Sequence, residues 1–302
     1  MKTKFKMLLA AAAITASGLA HAVPVNEFFY SQNGGWLDPA LDANPLTFPV
    51  NSSLGYTMSN PQPTPAAPAN TFGTMSWGNA FGYPSVPQSG LLVNTYNNTT
   101  SFSNGQVLLG DTNGNGQWNA GEFWGISTLT QANQVITGDF PNPLWVADVS
   151  ANLRIFSDAA RTNNVFADLA HNTTITFWET INSANPICNS PNPLGSICDD
   201  IYRINLTALA SQVFLYNGDW YQLSYTLFPG NDVLICTSAL DPFCSGSAAP
   251  NPGEIAVYTR EGENSTIHVA MAWQQVPEPS MLSLMGLALV GLGFVSRRRR
   301  TS

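Results

Sequence analysis

The clearest capacity for chemistry in this sequence lies in the twelve-residue segment DTNGNGQWNAGE, which begins at Asp111. It matches the calcium-loop pattern D-x-[DN]-x-[DN]-G-x5-E, in which oxygen ligands alternate along a sharply turning backbone. The predicted ligands are the side chains of Asp111, Asn113, Asn115, Asn119 and Glu122 together with the backbone carbonyl of Gln117. Because only two of these ligands are charged, the pattern predicts weak calcium binding, near the extracellular range of affinities.

The same segment also has an explanation without metal. Asn113-Gly114 and Asn115-Gly116 are dipeptides that readily adopt the positive φ angles of hairpin turns, so a plain loop stays open as the alternative. The preceding GQVLLG is typical of a strand, not of the helix that enters an EF-hand. Where calcium binds, we expect it to order the loop and not to take part in catalysis.

Candidate catalytic groups are sparse elsewhere. Asp199 and Asp200 are adjacent, so a strand would turn them to opposite faces, and Glu179 follows TFW without a partner at glycosidase spacing. We expect these acids to be solvated at strand edges or in loops. There is no G-x-S-x-G elbow, and His171 and His268 are expected to be packing or surface residues. The sequence therefore predicts that the protein is not an enzyme.

Aromatic side chains offer one further binding chemistry, because exposed rings stack on sugars. Trp77, Trp118, Trp124 and Tyr221 are candidates for such stacking. A position in the hydrophobic core is the favoured alternative for each of them.

Four cysteines form two local pairs, Cys188 with Cys198 and Cys236 with Cys244. Three connectivities are possible, and pairing of neighbours is the simplest because each pair flanks a loop of turn-forming residues. A zinc site is not supported, since no CxxC spacing is present. In an oxidising compartment each short bridge would contribute about 2–3 kcal/mol of stability.

The N-terminus carries an export signal. Three lysines precede an apolar stretch at residues 7–14, and Ala20-His21-Ala22 has the small-x-small pattern that signal peptidase reads. Residues 1–22 are therefore predicted to be a signal peptide, cleaved before Val23. A transmembrane anchor is the weaker alternative because the run is well short of about 20 apolar residues.

The C-terminal residues 276–302 have three ordered parts. Pro277-Glu278-Pro279 precedes an apolar run at 281–295, and four arginines follow it: Arg297, Arg298, Arg299 and Arg300. As a helix the run is about 22 Å long, marginal for spanning, and the arginines would hold its end on the inner side. A simple tail anchor is the plain alternative.

This three-part order resembles the PEP-CTERM sorting signal of bacterial surface proteins. The resemblance implies transient membrane insertion through the C-terminal helix and cleavage by an exosortase-type membrane protease. The body would then reach the envelope surface or extracellular matrix of a Gram-negative bacterium from a membrane-anchored precursor.

Charge in the body excludes some partners. Between residues 23 and 275 eighteen acidic residues are accompanied by four arginines and no lysine, a formal charge of −14. Such a surface repels nucleic acid and anionic membrane, but it is compatible with divalent cations and neutral glycans.

The body is predicted to be a single antiparallel β-sandwich or jelly-roll-like domain over residues 71–275. Short runs rich in β-branched and aromatic residues recur between turn signals, among them SGLLVNTY, NTTITFWET, SQVFLYN, DWYQLSYTLF, EIAVYTR and STIHVAMAWQQ. NPLWVADVSANLRIFSDAA fits either a helix or a strand. Because of its prolines, residues 23–70 are predicted to be an irregular arm.

Six short segments resemble the THxN family of PEP-CTERM proteins. They are SWG, QSGLLV, LTQANQVI, FWETIN, CDDIY and YTREGEN, in that order along the body. The namesake histidine would fall at Gln131, so that Thr130-Gln131-Ala132-Asn133 replaces Thr-His-x-Asn. Thr130 and Asn133 remain able to hydrogen-bond a turn or a ligand.

Together these features predict an exported, exosortase-processed protein with a structural or adhesive role. The alternative of another class is a calcium-assisted glycan-binding module, with extracellular polysaccharide as its partner.

Overall fold

The computed structural model describes residues 25–37, 54–62, 71–80, 89–99, 111–134, 145–180, 188, 192–206, 210–238 and 249–276. This part of the chain contains thirteen β-strands and no α-helix, so no helix in it is long and apolar enough to cross a membrane. The strands are β1 (Phe29–Leu37), β2 (Leu54–Pro61), β3 (Thr71–Ala80), β4 (Ser89–Thr99), β5 (Trp124–Ala132), β6 (Trp145–Phe156), β7 (Asn164–Trp178), β8 (Asp200–Asn205), β9 (Gln212–Tyr216), β10 (Asp219–Pro229), β11 (Val233–Cys236), β12 (Glu254–Thr259) and β13 (Asn264–Val276).

All described strands join one antiparallel sheet. Their order is β11-β12-β8-β7-β6-β1-β3-β4-β5-β13-β10-β9, and β2 pairs with β3 beside this path. The predicted all-β class is confirmed. The segment that fitted either a helix or a strand forms β6, which pairs with β1 and β7 along most of its length.

The sheet curls over on itself around a large apolar core. Both halves of the strand order contribute to this core, since side chains of β7 and β8 pack with those of β4 and β5. Its bulkiest members are Trp36, Met75, Trp77, Trp145, Phe177 and Tyr202. Trp145 stacks on Phe177 with ring centroids 5.1 Å apart. The result is a sandwich-like body built from a single sheet.

A second, aromatic core fills another part of the curl. It contains Phe28, Tyr30, Trp118, Trp124, Phe214, Tyr221 and Trp273. The four aromatic residues considered for sugar stacking are all at most 2% exposed, three of them here and Trp77 in the large core. Their alternative as core residues is confirmed.

The prediction of an irregular arm over residues 23–70 was wrong for two segments, because Phe29–Leu37 and Leu54–Pro61 are strands. β1 lies between β6 and β3 in the middle of the sheet. The pair Gly34 and Gly35, which lowers strand propensity, is required there. A Cβ atom at either position would overlap backbone atoms of the neighbouring strands.

One of the two predicted disulfide bonds lies within the described residues. Cys188 and Cys198 are joined, with their Cα atoms 5.6 Å apart. Cys236 is disulfide-bonded as well. Its predicted partner, Cys244, lies outside the described residues.

Candidate functional site

A cluster of three buried carboxylates lies at one end of the large core. Oxygen atoms of Glu179, Asp200 and Glu261 lie within 4.8 Å of one another. The three residues are 1%, 0% and 7% exposed, respectively. We refer to them as the carboxylate cluster. The expectation that Glu179, Asp199 and Asp200 are solvated acids was wrong, since Asp199 is also only 1% exposed.

Strand periodicity explains how distant residues reach one place. Side chains two residues apart on a strand share a face, so each row of core residues continues to a polar residue at its end. On β7 the row Ile175 and Phe177 continues to Glu179, and on β8 Asp200 precedes Tyr202 on the same face. Other rows lead from Leu129 to Gln131 on β5 and from Ile255 and Val257 to Thr259 on β12, beyond which Glu261 follows.

Asp200 is the best-bonded member of the cluster. Its Oδ1 accepts hydrogen bonds from the Thr180 backbone N–H at 2.9 Å and the Thr180 hydroxyl at 3.2 Å. Its Oδ2 accepts one from the Gln131 Nε2 amide at 3.3 Å. The Gln131 Oε1 in turn accepts from the Thr259 hydroxyl at 2.9 Å. Gln131 therefore links β5 to β8 and β12 across the core.

Asn133 supports the turn that carries Glu261. Its backbone N–H donates to the Glu263 carbonyl at 3.1 Å, and its side-chain Nδ2 donates to the Arg260 carbonyl at 3.3 Å. The same side chain lies close enough to Asp200 and Glu261 to oppose the rise that burial causes in the pKa of both. Asn133 is fully buried. Bonding a turn is one of the two roles that the sequence left open for Asn133.

Burial dominates the electrostatics of the cluster. It raises the pKa of Asp200 to about 7, even though hydrogen bonds from Thr180, Asn133 and Gln131 act in the opposite direction. Burial and the neighbouring Asp200 charge raise the pKa of Glu261 to about 9. The folded protein therefore holds protons on this cluster at pH values where free carboxylic acids have lost them.

Asp199 has a different task from its neighbour. Its Oδ2 accepts from the Leu194 backbone N–H at 2.7 Å, and its Oδ1 accepts from the Ser196 hydroxyl at 2.6 Å. It closes the loop before β8, next to the Cys188–Cys198 bridge. The prediction that Asp199 and Asp200 face opposite sides agrees with these separate partners.

The predicted calcium loop, residues 111–122, forms a compact turn. Gly114 and Gly116 adopt positive φ angles of 73° and 75°, as the pattern requires. Asp111 accepts hydrogen bonds from the backbone N–H groups of Asn115, at 2.9 Å, and Gly116. Asn113 Oδ1 accepts a further bond from the Asn115 N–H at 3.1 Å.

Three of the predicted ligand oxygens converge on one point of this loop. The Asn119 Nδ2 amide donates to Asn115 Oδ1 at 3.1 Å, to the Gln117 carbonyl at 2.9 Å and to Glu122 Oε2 at 3.2 Å. The amide thus occupies the position at which these oxygens would surround a cation. Burial acts to raise the pKa of Glu122, but hydrogen bonds from Asn119 and Thr112 outweigh it and the pKa is lowered.

Trp118 fixes the loop to the body. Its ring is fully buried in the aromatic core, 5.1 Å from that of Tyr30. Its indole N–H donates to the Glu122 carbonyl at 2.8 Å, while its own carbonyl accepts from the Trp273 indole at 3.0 Å. The loop is therefore exposed at its tip and anchored at its base.

A partly open cavity of about 100 Å³ has mostly apolar walls, including Ile126, Leu153 and Val269. His171 and Tyr225 supply polar atoms to its lining. None of the three cluster carboxylates lines it. His171 pairs with Asp168 at 2.7 Å, whereas His268 is buried on β13.

Four of the six segments that carry the THxN resemblance meet at the carboxylate cluster. LTQANQVI supplies Gln131 and Asn133, and FWETIN, CDDIY and YTREGEN supply Glu179, Asp200 and Glu261. Thr130 lies on the opposite face of β5 from Gln131, and its hydroxyl forms a hydrogen bond with the Thr266 hydroxyl at 3.1 Å. The cluster was missed from the sequence, although an acid at the end of an alternating apolar row on three strands was a usable signal.

Comparison with known proteins identifies the C-terminus. Residues 275–300 match the PEP-CTERM protein-sorting motif, the one predicted from Pro277-Glu278-Pro279, the apolar run and the arginines. The chain therefore carries the signal of an exported, surface-targeted protein sorted by an exosortase. No curated protein matches the chain. The motif residues beyond 276 lie outside the described part of the structure.

Proposed function

We propose that the protein is a non-catalytic structural or adhesive component of the envelope surface or extracellular matrix of a Gram-negative bacterium. The sorting motif at residues 275–300 carries this proposal, because it directs the body to the cell surface. Signal peptidase would process the other end. We also propose membership of the THxN family, supported by the meeting of four family segments at one buried site.

Burial of the acidic groups supports the absence of catalysis. A glycosidase needs two carboxylates facing a sugar in an open cleft. The acids that come together here are at most 7% exposed, so they do not face a substrate in the described body. This burial supports a role in maintaining the fold and not in acting on a polymer.

We further propose that the loop at 111–122 binds calcium weakly. Support comes from the convergence of the Asn115, Gln117 and Glu122 oxygens on one amide group, which a rotation of Asn119 would expose to a cation. The glycan-binding alternative is weakened, because the four aromatic residues considered for sugar stacking are buried. The exposed amides of Asn113 and Asn115 beside this cation position support the glycan-binding alternative.

The structural role is tested in the producing cells. Strains lacking the protein, strains with the native chain and strains with Glu278→Ala would be compared for surface display and for cohesion of cells in their matrix. We expect both to be lost without the protein, and Glu278→Ala to leave the chain in the membrane fraction. Unchanged cohesion after complete loss of the protein would contradict the proposal.

The glycan alternative and the absence of catalysis are tested on the purified chain. Its retention on matrix polysaccharide would be measured in calcium and in chelator, with Asp111→Ala as the control. Retention only in calcium, lost in Asp111→Ala, would establish the glycan-binding module instead. Release of new sugar reducing ends would overturn the non-catalytic proposal.

A further inference from the structure

When its acids are ionised, the carboxylate cluster carries more negative charge than its surroundings compensate. Burying an ionised carboxylate is costly unless it is paired, hydrogen-bonded or bound to a metal. Asp200 has three hydrogen bonds, yet two further acids lie within 4.8 Å of it. A group that neutralises all three at once would remove this cost.

The arginines nearest in sequence do not supply that charge. Arg260 precedes Glu261, but its side chain is 44% exposed and pairs with Asp232 at 3.6 Å. Arg203, three residues after Asp200, pairs with Glu254 at 3.5 Å and lies over the Trp178 ring. The body contains no lysine. Both arginines are engaged elsewhere.

A second observation concerns oxygen atoms that lack donors. Both carboxylate oxygens of Glu261 and the Oδ1 of Asn133 are buried without a hydrogen-bond partner. Asn133 is 0% exposed, and its side chain lies against both Asp200 and Glu261. Buried acceptors are nearly always satisfied in native proteins, so these oxygens require either bound protons or a positive ligand.

We propose that Glu179, Asp200 and Glu261 bind one hard divalent cation of the Ca²⁺ class, with the Oδ1 of Asn133 as a further ligand once its side-chain amide is turned over. An all-oxygen set without sulfur or imidazole favours Ca²⁺ over Zn²⁺ or Cu²⁺. A cation at 2.3–2.6 Å from each ligand permits ligand oxygens up to about 5 Å apart. The spacing of at most 4.8 Å in the cluster meets this requirement.

Such a cation would fasten the curl of the sheet. Glu179 follows β7, Asp200 begins β8, Glu261 lies in the turn between β12 and β13, and Asn133 follows β5. These elements come from both halves of the strand order. The site is separate from the loop at 111–122, and its function would be to stabilise the folded body by mass action.

The test uses the full chain, purified in detergent with its disulfide bonds intact and stripped with chelator. Ca²⁺ would be titrated by calorimetry, and thermal unfolding would be followed with and without Ca²⁺. Asp111→Asn would be present throughout to disable the surface loop. We expect one Ca²⁺ to bind this variant and to raise its unfolding temperature.

Three further substitutions assign the site. Glu261→Gln and Glu179→Gln should each weaken Ca²⁺ binding by more than about 10–100-fold. That range is the loss expected when a residue that only supports a ligand is changed, and these two residues are proposed as direct ligands. Glu263→Gln removes the same charge from an exposed position in the same turn and should leave binding unchanged. In chelator, the Glu261→Gln variant should unfold at or above the temperature of the Asp111→Asn chain that carries it. A loss of Ca²⁺ binding in this variant is then not caused by a loss of folding.

Two results would overturn the proposal. One is the absence of any heat or temperature shift in Asp111→Asn at millimolar Ca²⁺. The other is Ca²⁺ binding that survives in both Glu261→Gln and Glu179→Gln. In either case the cluster would be a proton-holding group of the core and not a metal site.

Discussion

The loop at residues 111–122 and the carboxylate cluster present acidic oxygens in opposite ways. The loop is contiguous in sequence, exposed at its tip, and satisfies its oxygens with its own N–H groups. The cluster is assembled from three separate segments, is buried, and leaves the Glu261 oxygens without hydrogen-bond donors within bonding distance. The loop, which is recognisable in the sequence, therefore has most of its oxygens hydrogen-bonded without a cation. The cluster, which only the fold brings together, has buried oxygens that lack donors.

Their electrostatics differ for the same reason. Hydrogen bonds lower the pKa of Glu122 despite its burial, whereas burial raises the pKa of Asp200 and Glu261 despite the hydrogen bonds to Asp200. In the loop local donors are sufficient. In the cluster the low dielectric of the core dominates.

The largest effect is expected at the base of the loop. Trp118→Ala should lower the free energy of unfolding by about 3–5 kcal/mol, because it removes a fully buried ring from the aromatic core. Denaturant unfolding measures this loss. Trp118→Phe, which keeps part of the packing, should lose clearly less. An equal loss in both variants would mean that the indole hydrogen bond, and not packing, anchors the loop.

The next effect concerns the disulfide beside the cluster. Replacing Cys188 and Cys198 together by Ser should cost about 2–3 kcal/mol, as expected for closing a loop of this length. The Thr180 hydroxyl also bonds the Cys198 carbonyl at 2.7 Å, so the bridge restrains the residues around Asp200. Denaturant unfolding of the oxidised chain and the double variant checks this. Equal free energies of unfolding for the two chains would show that the bridge does not restrain the residues around Asp200.

A pH dependence of opposite sign to that of ordinary ion-paired acids is expected for the cluster. In chelator, the free energy of unfolding should fall as pH rises from about 4 through the pKa values of about 7 for Asp200 and about 9 for Glu261. The reason is that the folded state binds more protons than the unfolded state over this range. Glu179, Asp199 and Asp200 all add negative charge near Glu261, and none offsets the effect.

Glu261→Gln isolates that dependence. At pH 8 in chelator this variant should be more stable than the native chain by roughly 1–3 kcal/mol, since a neutral amide avoids the cost of a buried acid. At pH 5 the two chains should be nearly equal. Unfolding curves at both pH values, with Glu263→Gln as the exposed control, measure the difference. A native chain that is more stable than Glu261→Gln at pH 8 would show that the Glu261 carboxylate is paired or hydrogen-bonded in the folded protein.

The smallest effect is expected at the tip of the loop. Asp111→Asn in chelator should cost about 1 kcal/mol, because it weakens two hydrogen bonds to backbone N–H groups in a partly exposed turn. The loss is measured by the same unfolding method. A loss comparable to that of Trp118→Ala would mean that the turn itself, and not its aromatic anchor, holds the loop in place.

Much of the sheet could be predicted from alternation alone. Runs such as DWYQLSYTLF and STIHVAMAWQQ became β10 and β13 because their alternating residues suit a half-buried surface. β1 could not be predicted in this way. Gly34 and Gly35 lower strand propensity, and only the close approach of β6 and β3 explains why they are needed.

The two candidate sites differ in the same way, since one follows from a local sequence pattern and the other from tertiary contacts. The loop at 111–122 was predictable because its ligands follow one another at fixed spacing. The alternation in each segment places an acid at the end of an apolar row, but it does not tell which three rows end at the same place. Glu179 and Asp200 were noticed as acids and assigned to solvent, because the partners of Asp200 at Gln131 and Glu261 lie 69 and 61 residues away in the chain.

The proposed cation in the carboxylate cluster is tested most directly by anomalous diffraction from crystals of the chain grown with Mn²⁺ or a lanthanide in place of Ca²⁺. We predict a peak among the oxygens of Glu179, Asp200 and Glu261, close to Asn133 Oδ1. A cluster without such a peak, with Asp200 and Glu261 drawn together at hydrogen-bond distance around a shared proton, would contradict the claim.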